Sequence, residues 1–288
     1  MKIFKFDEFC HDDFHFGLTE SPVQKVCPLH THDFCELVIV RRGSGLHVVG
    51  EEKLPIRAGD VFVVGDNISH AYRNVNDLTV FNILFRFDEM ELPTGLLSVL
   101  PGYYALFQVE PQLRGQHKFR SRLHLSDEQL IRADLLLDHL RLELSGMQAG
   151  YQAALTGIFT ELLVFLARCF QEESSGEEAQ IVTRLSRVIS RIESQYTEQI
   201  TLDDLARSAN LSKRTLLRYF QNVYHRSPIH YLSELRLSKA RELLLHTDLP
   251  VQEIGARVGF KDNNYFSRAF RKHTGMTPGE FRQKSVKP

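Results

Sequence analysis

Hydrophobic and polar positions divide this chain into two regimes. Over residues 1–92 the apolar residues come in short β-rich runs, ELVIV, GLHVV, DVFVV and LTVFNILFRF, separated by turn-forming RRGSG, GEEK, RAGD and VND. Strands this short and this closely spaced predict a sandwich or barrel. Residues 93–125, with Pro93, Pro101 and Pro111, show no period and are left unassigned. From Ser126 the period becomes helical: SDEQLIRADLLLDHLRLEL opens on an N-cap serine and an acidic first turn. A second helix, roughly Tyr151–Phe170, is apolar nearly all round. It must bury several faces, either against a partner helix in a dimer or against the domain's own sheet. The polar, acidic QEESSGEEAQ that follows reads as a linker, and beyond it almost everything is helical.

The helical part contains a repeat. LARSANLSKRTLLRYFQNVYHRSP (205–228) aligns with IGARVGFKDNNYFSRAFRKHTGMTP (254–278). Leu205 matches Ile254 and Leu211 matches Phe260; after one extra residue, Ser212 matches Asp262, Leu216 Phe266, Arg218 Arg268, Phe220 Phe270 and Pro228 Pro278. Each copy reads as helix, tight turn, N-cap and second helix, then a proline that starts the next helix: a helix-turn-helix written twice. The helical period turns Leu216, Phe220, Phe266 and Phe270 inward. It leaves Lys213, Arg214, Leu217, Arg218 and Gln221 outward in one copy, and Asn263, Asn264, Ser267, Arg268 and Arg271 in the other. Arginine can fork onto guanine, asparagine onto adenine, and serine can meet either base. PIHYLSELRLSKARELLLH (228–246) joins the copies as one helix about 28 Å long at 1.5 Å per residue. That rod suits two recognition helices reaching successive major grooves about 34 Å apart.

Charge agrees. The chain has 288 residues and a net charge of -1, but residues 181–288 carry 19 Lys+Arg against 10 Asp+Glu, leaving 1–180 with 16 against 26. A basic half of this kind points to a polyanionic partner. Cys10, Cys27, Cys35 and Cys169 are scattered without a CxxC, so neither a zinc knuckle nor a disulfide framework is implied. MKIFKFDEF lacks a secretory apolar run, and the greasiest stretch, LLVFLA (162–167), is too short to span a bilayer. A cytoplasmic protein is the expectation.

From about Ile200 to Arg282, about a third of the chain, LDDLARSANLSKRTLLRYF and IGARVGFKDNNYFSRAFRKHTGMTP resemble the DNA-binding domain of AraC-type transcription regulators. The resemblance implies seven helices, double-stranded DNA as partner and contact with RNA polymerase. It places Lys213, Arg214, Arg218, Asn263, Asn264, Ser267 and Arg268 at the DNA; Leu217 stands where some relatives have a polar reader.

In the amino half, His30-x-His32-x3-Glu36-x6-Gly43, then Gly59-x5-Gly65 and His70-x3-Asn74, follow the two-part pattern of cupin β-barrels, with glycine at 65 where proline is usual. Strand alternation puts Glu36, Val38, Val40 and Arg42 on one face, with His70 arriving from another strand. Three imidazoles and a carboxylate could hold iron, manganese, nickel or zinc, as in metallo-cupin enzymes. The same groups could instead hydrogen-bond sugar hydroxyls in a sensor, or His30 and His32 could simply satisfy local backbone. HTHDFCELVIVRRGSGLHVV, NVNDLTVFNILFRF and LPGYYALFQVEP further resemble the rhamnose-responsive activators within the AraC type. That likeness implies L-rhamnose as effector and activation of sugar-catabolism genes. In those activators acidic residues at positions matching Glu253, which departs from the usual aspartate, and Asp262 face the sigma subunit; Asp262 also reads as a plain N-cap.

The expectation is therefore a two-domain chain: an N-terminal cupin-like β-barrel (about 1–92) with an α-helical dimerisation segment (about 126–172), and a C-terminal all-α domain with two helix-turn-helix units. The domains span 1–172 and 182–288, with a linker at 173–181. His30, His32, Glu36, Arg42 and His70 are the expected effector-binding residues of a homodimeric, non-enzymatic activator. No cofactor is expected. The lesser alternatives are a divalent metal on His30, His32, Glu36 and His70, another sugar, a repressor, or a metal-dependent enzyme fused to a DNA-binding domain.

Overall fold

Two long strands organise the amino half of the computed structural model, which describes residues 2–10, 14–23, 27–86, 89–90, 92–115, 123–173 and 177–285. Strands β1 (Lys2–Phe4), β2 (Phe16–Val23), β3 (Cys27–His32), β4 (Cys35–Val49), β5 (Glu52–Arg57), β6 (Asp60–Val64), β7 (His70–Phe85) and β8 (Leu123–His124) form one sheet. β4 and β7 pair antiparallel along their length, from Cys35↔Phe85 to Val49↔His70. One half of this ribbon is flanked by β2 and β6, the other by β3 and β5. The sheet thereby folds over on itself into the expected cupin-like barrel.

The bend has a local cause. The β4–β7 register shifts three times between Val40 and Leu46. At its centre Gly43 has φ +76, and a Cβ there would lie 2.2 Å from the Asp77 carbonyl oxygen. Only glycine fits that approach. Across the ribbon Asn74 and Asp77 also take positive φ. The inward set changes parity at the bend: Val38 and Val40 join Phe62, Tyr72, Leu78 and Val80 in the interior, while beyond it His47 stacks on Phe62 and Tyr72.

Residues 94–115, for which the sequence shows no period, fold into short helices α1 (Thr94–Leu97), α2 (Pro101–Tyr104) and α3 (Glu110–Gly115), with a wide turn over Ala105–Val109. The N-cap of α4 (Asp127–Gly146) is Ser126, in a capping box with Gln129. Helix α5 (Tyr151–Glu173) packs within its own domain, against the sheet and against α2 and α4. Phe159 packs edge-on against Phe16 and 5.4 Å from the Phe85 ring, and Leu155, Leu162, Leu163 and Leu166 are fully buried. The stretch Tyr151–Phe170 is long and apolar enough to cross a membrane by composition, which the six-residue run alone does not suggest; half of it is buried inside the fold.

The chain divides into compact units Met1–Ser186 and Arg187–Pro288. The linker expected over 173–181 is shorter than that: α5 ends at Glu173 and α6 (Glu177–Gln195) begins four residues later, so its acidic EEAQ starts a helix. Residues 174–176 of that linker lie outside the described residues.

The second unit holds both copies of the repeat: α7 (Leu202–Ser208) and α8 (Lys213–Tyr224), then α9 (Pro228–His246), then α10 (Val251–Arg257), α11 (Asn263–Thr274) and α12 (Pro278–Ser285). Equivalent left-handed residues close each turn, Asn210 (φ 52) and Gly259 (φ 94), and terminate each second helix, His225 (φ 54) and Gly275 (φ 79). Ser212 and Asp262 cap their helices by accepting from Thr215 N and Tyr265 N. Core volume is traded between copies: Ala206 and Leu216 in the first become Gly255 and Phe266 in the second. A Cβ on Gly255 would lie 2.9 Å from the Phe266 ring. Overpacking in Gly255→Ala should cost about 1–3 kcal/mol, against the roughly 1 kcal/mol that alanine gains over glycine in a helix, for a net destabilisation of up to about 2 kcal/mol. Chemical denaturation of the two proteins checks the sign.

Candidate functional site

The polar end of the barrel collects residues from three strands. β3 supplies His30 and His32, the start of β4 supplies Glu36, and His70 opens β7, opposite His30 in register. All four are buried, with His70 fully so. His32 Nε2 lies 3.7 Å and His70 Nε2 3.3 Å from Glu36 Oε2. The three atoms lie within 4.8 Å of one another, and none has a well-formed hydrogen bond. The opposite ring nitrogens are engaged: His32 Nδ1 donates to the Phe34 carbonyl (2.7 Å), His70 Nδ1 to Ile68 (3.3 Å) and His30 Nδ1 to Pro28 (2.9 Å). Since a carbonyl can only accept, each Nδ1 carries a proton, and each Nε2 is turned away from the backbone.

Electrostatics reinforce this state. Burial pushes the His30 and His32 imidazoles below the usual histidine range, although Glu36 opposes it. Burial also pushes the Glu36 carboxyl up, but the close His70 contact and the attraction of the His70, His32 and His30 rings outweigh it and hold the acid below the ordinary carboxylate range.

Arg42 does not join them. The expectation that it shares the inward face of Glu36 is overturned, because the register shifts beyond Val40 break strand alternation. Arg42 is solvent-exposed and pairs with Asp77 across the bend. His47, which sequence reasoning missed, comes inside instead, 5.4 Å from the His70 ring. Its signal was a single polar residue in the run GLHVV.

A second candidate surface lies on α8 and α11. Lys213, Arg214, Leu217, Arg218 and Gln221 are exposed on α8, over buried Leu216 and Phe220. On α11, Asn263, Asn264, Arg268 and Arg271 are exposed and Ser267 is half-buried, over Phe266 and Phe270. Among them, Lys213 pairs with Asp203 on α7 (2.8 Å) and the Arg218 guanidinium lies over the Tyr219 ring (4.9 Å). Tyr265, missed in the sequence, is 53% exposed beside Asn264. Glu253 pairs with Arg257 on α10 (2.8 Å), and Asp262 spends one carboxylate oxygen on its cap.

Comparison with known proteins covers both halves. The AraC-like ligand binding domain family matches residues 15–212 and a helix-turn-helix domain family matches 205–284. The HTH-type transcriptional activator RhaR of Escherichia coli O139:H28 (strain E24377A / ETEC) is 31% identical over 282 residues, 98% of this chain and 96% of its own. RhaR of Shigella boydii serotype 4 (strain Sb227) matches to the same extent. Among solved structures, the C-terminal domain of the response regulator yesN from Fusobacterium nucleatum is 38% identical; the match covers 33% of this chain and 93% of that one, with a TM-score of 0.32.

Proposed function

The chain belongs to the AraC-type helix-turn-helix transcription regulators, and we propose that within this family it is a cytoplasmic activator that senses L-rhamnose and turns on genes of rhamnose use. The observation that carries this reading is the collinear likeness to an activator named RhaR across 98% of the chain, sensor and DNA-binding halves together. The matched relatives are regulators, which favours this reading over an enzyme built on the same histidines.

In this reading the buried His32, Glu36 and His70, with His30 beside them, form the polar end of the effector site. Sugar hydroxyls both donate and accept, and would meet the carboxylate and the imidazole nitrogens there. Millimolar L-rhamnose should raise the melting temperature of the purified protein, as any ligand selective for the folded state does. The same concentration of a sugar alcohol should leave it unchanged. Absence of a shift, or equal shifts from unrelated sugars, removes rhamnose as the effector.

Dimerisation falls to α4. Ile131, Leu135 and Leu142 are each more than 60% exposed, while Ala133, Leu137 and Leu140 are fully buried. At about 100° per residue the exposed three fall within roughly 40° of one another, on the side away from the buried three. Their spacing is that of a two-stranded seam, and a second copy of this helix is the proposed partner. Arg41 ties α4 to β4, the strand that bears Glu36, through Asp134 (2.8 Å). Leu135→Glu should shift the protein from dimer to monomer in sedimentation while its fold persists; an unchanged dimer would move the interface elsewhere.

On DNA, Arg214, Arg218, Asn264 and Arg268 are the proposed base readers. Arg218→Ala or Arg268→Ala should each cost about 1–3 kcal/mol on the cognate operator and relax base preference at one position. Equal loss on scrambled duplex would assign the arginine to phosphate alone.

A further inference from the structure

Residues 196–200, between α6 and α7, lead into the first helix-turn-helix yet are fastened to the second. Arg236, half-buried on α9, donates from Nε to the Tyr196 carbonyl (2.7 Å) and from Nη2 to the Glu198 carbonyl (2.6 Å). Gln199 Nε2 donates to the Gly259 carbonyl, in the turn between α10 and α11 (3.2 Å). The Tyr196 side chain packs against the core that Leu237, Ala240 and Leu244 form with Phe260 and Phe270. Comparison of the two turns shows what this contact demands. Asn210 in the first takes positive φ and is exposed, so a side chain is accommodated there. At Gly259 a Cβ would lie 2.8 Å from the Thr197 carbonyl oxygen and 2.9 Å from both the Tyr196 carbonyl oxygen and Arg236 Nε. The strap of 196–200, and not the backbone angle alone, requires glycine.

The contact closes a ring. Phe220 and Tyr224 of the first copy meet Tyr231 near the start of α9, while the second copy packs on Leu237, Ala240 and Leu244 farther along it. Held by α9 alone, α8 and α11 would change their mutual angle with any bend or twist of that helix. The strap is a second support. It runs directly into Thr201, which caps α7 in a box with Asp204. Behind it, α6 is fixed to the same frame: Arg191 donates to the Asp204 carbonyl (2.9 Å), and Glu193 accepts from Tyr231 (2.7 Å). Gly259, where the strap lands, lies three residues before the Asp262 cap of α11. A shift of that turn carries Asn263 and Asn264 with it. A planar guanidinium bonded to two carbonyls of one loop sets the loop's orientation as well as its distance.

We propose that Arg236 and Gln199 are positioning residues for DNA recognition: they hold the strap across the second turn and so fix the angle and spacing of α11 relative to α8. The proposal rests on the reading of α8 and α11 as the two base-reading helices. Neither side chain needs to touch DNA. Their effect is on register. Successive base pairs differ by about 3.4 Å along the duplex and roughly 34° around it. A joint that yields by that much reads a displaced segment as readily as the correct one.

The test uses the full-length protein and a duplex that it enriches from random-sequence DNA. Derivatives of that duplex have either major-groove segment scrambled, or one base pair inserted between the segments. The segments are told apart by which one Arg218→Ala and Arg268→Ala each cease to discriminate. The unmodified protein should lose at least about 10-fold in affinity on each change, as for one or more mismatched pairs. Arg236→Met should bind the inserted duplex within about 3-fold of its parent. Gln199→Ala, which removes one hydrogen bond at an exposed residue, should reduce the insertion penalty by about 2–5-fold. Both variants should keep the full loss on scrambling the segment read by α8. Equal weakening on every duplex, or an undiminished insertion penalty in both variants, would overturn the proposal, since a general loss of stability does not depend on spacing. If Arg236→Met fails to fold, Gln199→Ala decides. An unmodified protein indifferent to scrambling one segment would remove the two-helix reading and the proposal with it; a penalty present there and intact in the variants removes the positioning role alone.

Discussion

The sensor half depends on the pairing of β4 with β7 through a shared bend. Those strands run together from Cys35↔Phe85 to Val49↔His70, and every other strand except β1 and β8 attaches to one of them. A straight ribbon of this length would leave Glu36 and His70 far apart, near opposite ends of β4, since each residue adds about 3.3 Å. Folding the ribbon at Gly43 brings both ends of β4 to one place, and Glu36 meets His70 at 3.3 Å. The bend is possible because Gly43 takes φ +76 against the Asp77 carbonyl, where any side chain would collide.

The same bend decides which polar groups are buried together. Shifted pairing reverses strand parity, so Arg42 goes out to Asp77 and His47 goes in beside His70. What collects inside is an unusual set for a core, one carboxylate and several imidazoles whose donors are already used on backbone. Buried polar groups of this kind are retained at a cost in stability. That cost is consistent with a site that binds something, and the remaining interior of Val38, Val40, Phe62, Leu78 and Val80 supplies the compensating apolar burial.

In the second unit the governing constraint is repetition with compensation. Both copies place left-handed residues five after matched landmarks: Asn210 after Leu205 and Gly259 after Ile254 in the turns, His225 after Phe220 and Gly275 after Phe270 at the helix ends. In the buried interior, Ala206 and Leu216 of the first copy correspond to Gly255 and Phe266 of the second, where Gly255 lies against the Phe266 ring. The exposed faces are then free to differ in chemistry, arginine-rich on α8 and amide-rich on α11, without disturbing the shared frame.

Much of this was legible in the order of residues alone. Helical period, N-cap residues and the prolines at 228 and 278 are local properties, so α8, α9, α11 and their inward faces could be placed from them. The His-x-His-x3-Glu spacing likewise marked His30, His32 and Glu36, and the second part of the barrel pattern marked His70. Tertiary structure decided what depends on contacts distant along the chain. The sheet meets one face of α5, where Phe16 and Phe85 meet Phe159. The exposed apolar stripe of Ile131, Leu135 and Leu142 lies on α4, a distinction invisible when both helices are leucine-rich. Arg42 and His47 exchanged places because a bulge changes parity, and alternation read along one strand carries no information about its partner's register. Short helices over 94–115 have no period to read; they exist because the neighbouring helix accommodates them, down to Gly102, where a Cβ would lie 1.9 Å from the Ala167 carbonyl oxygen.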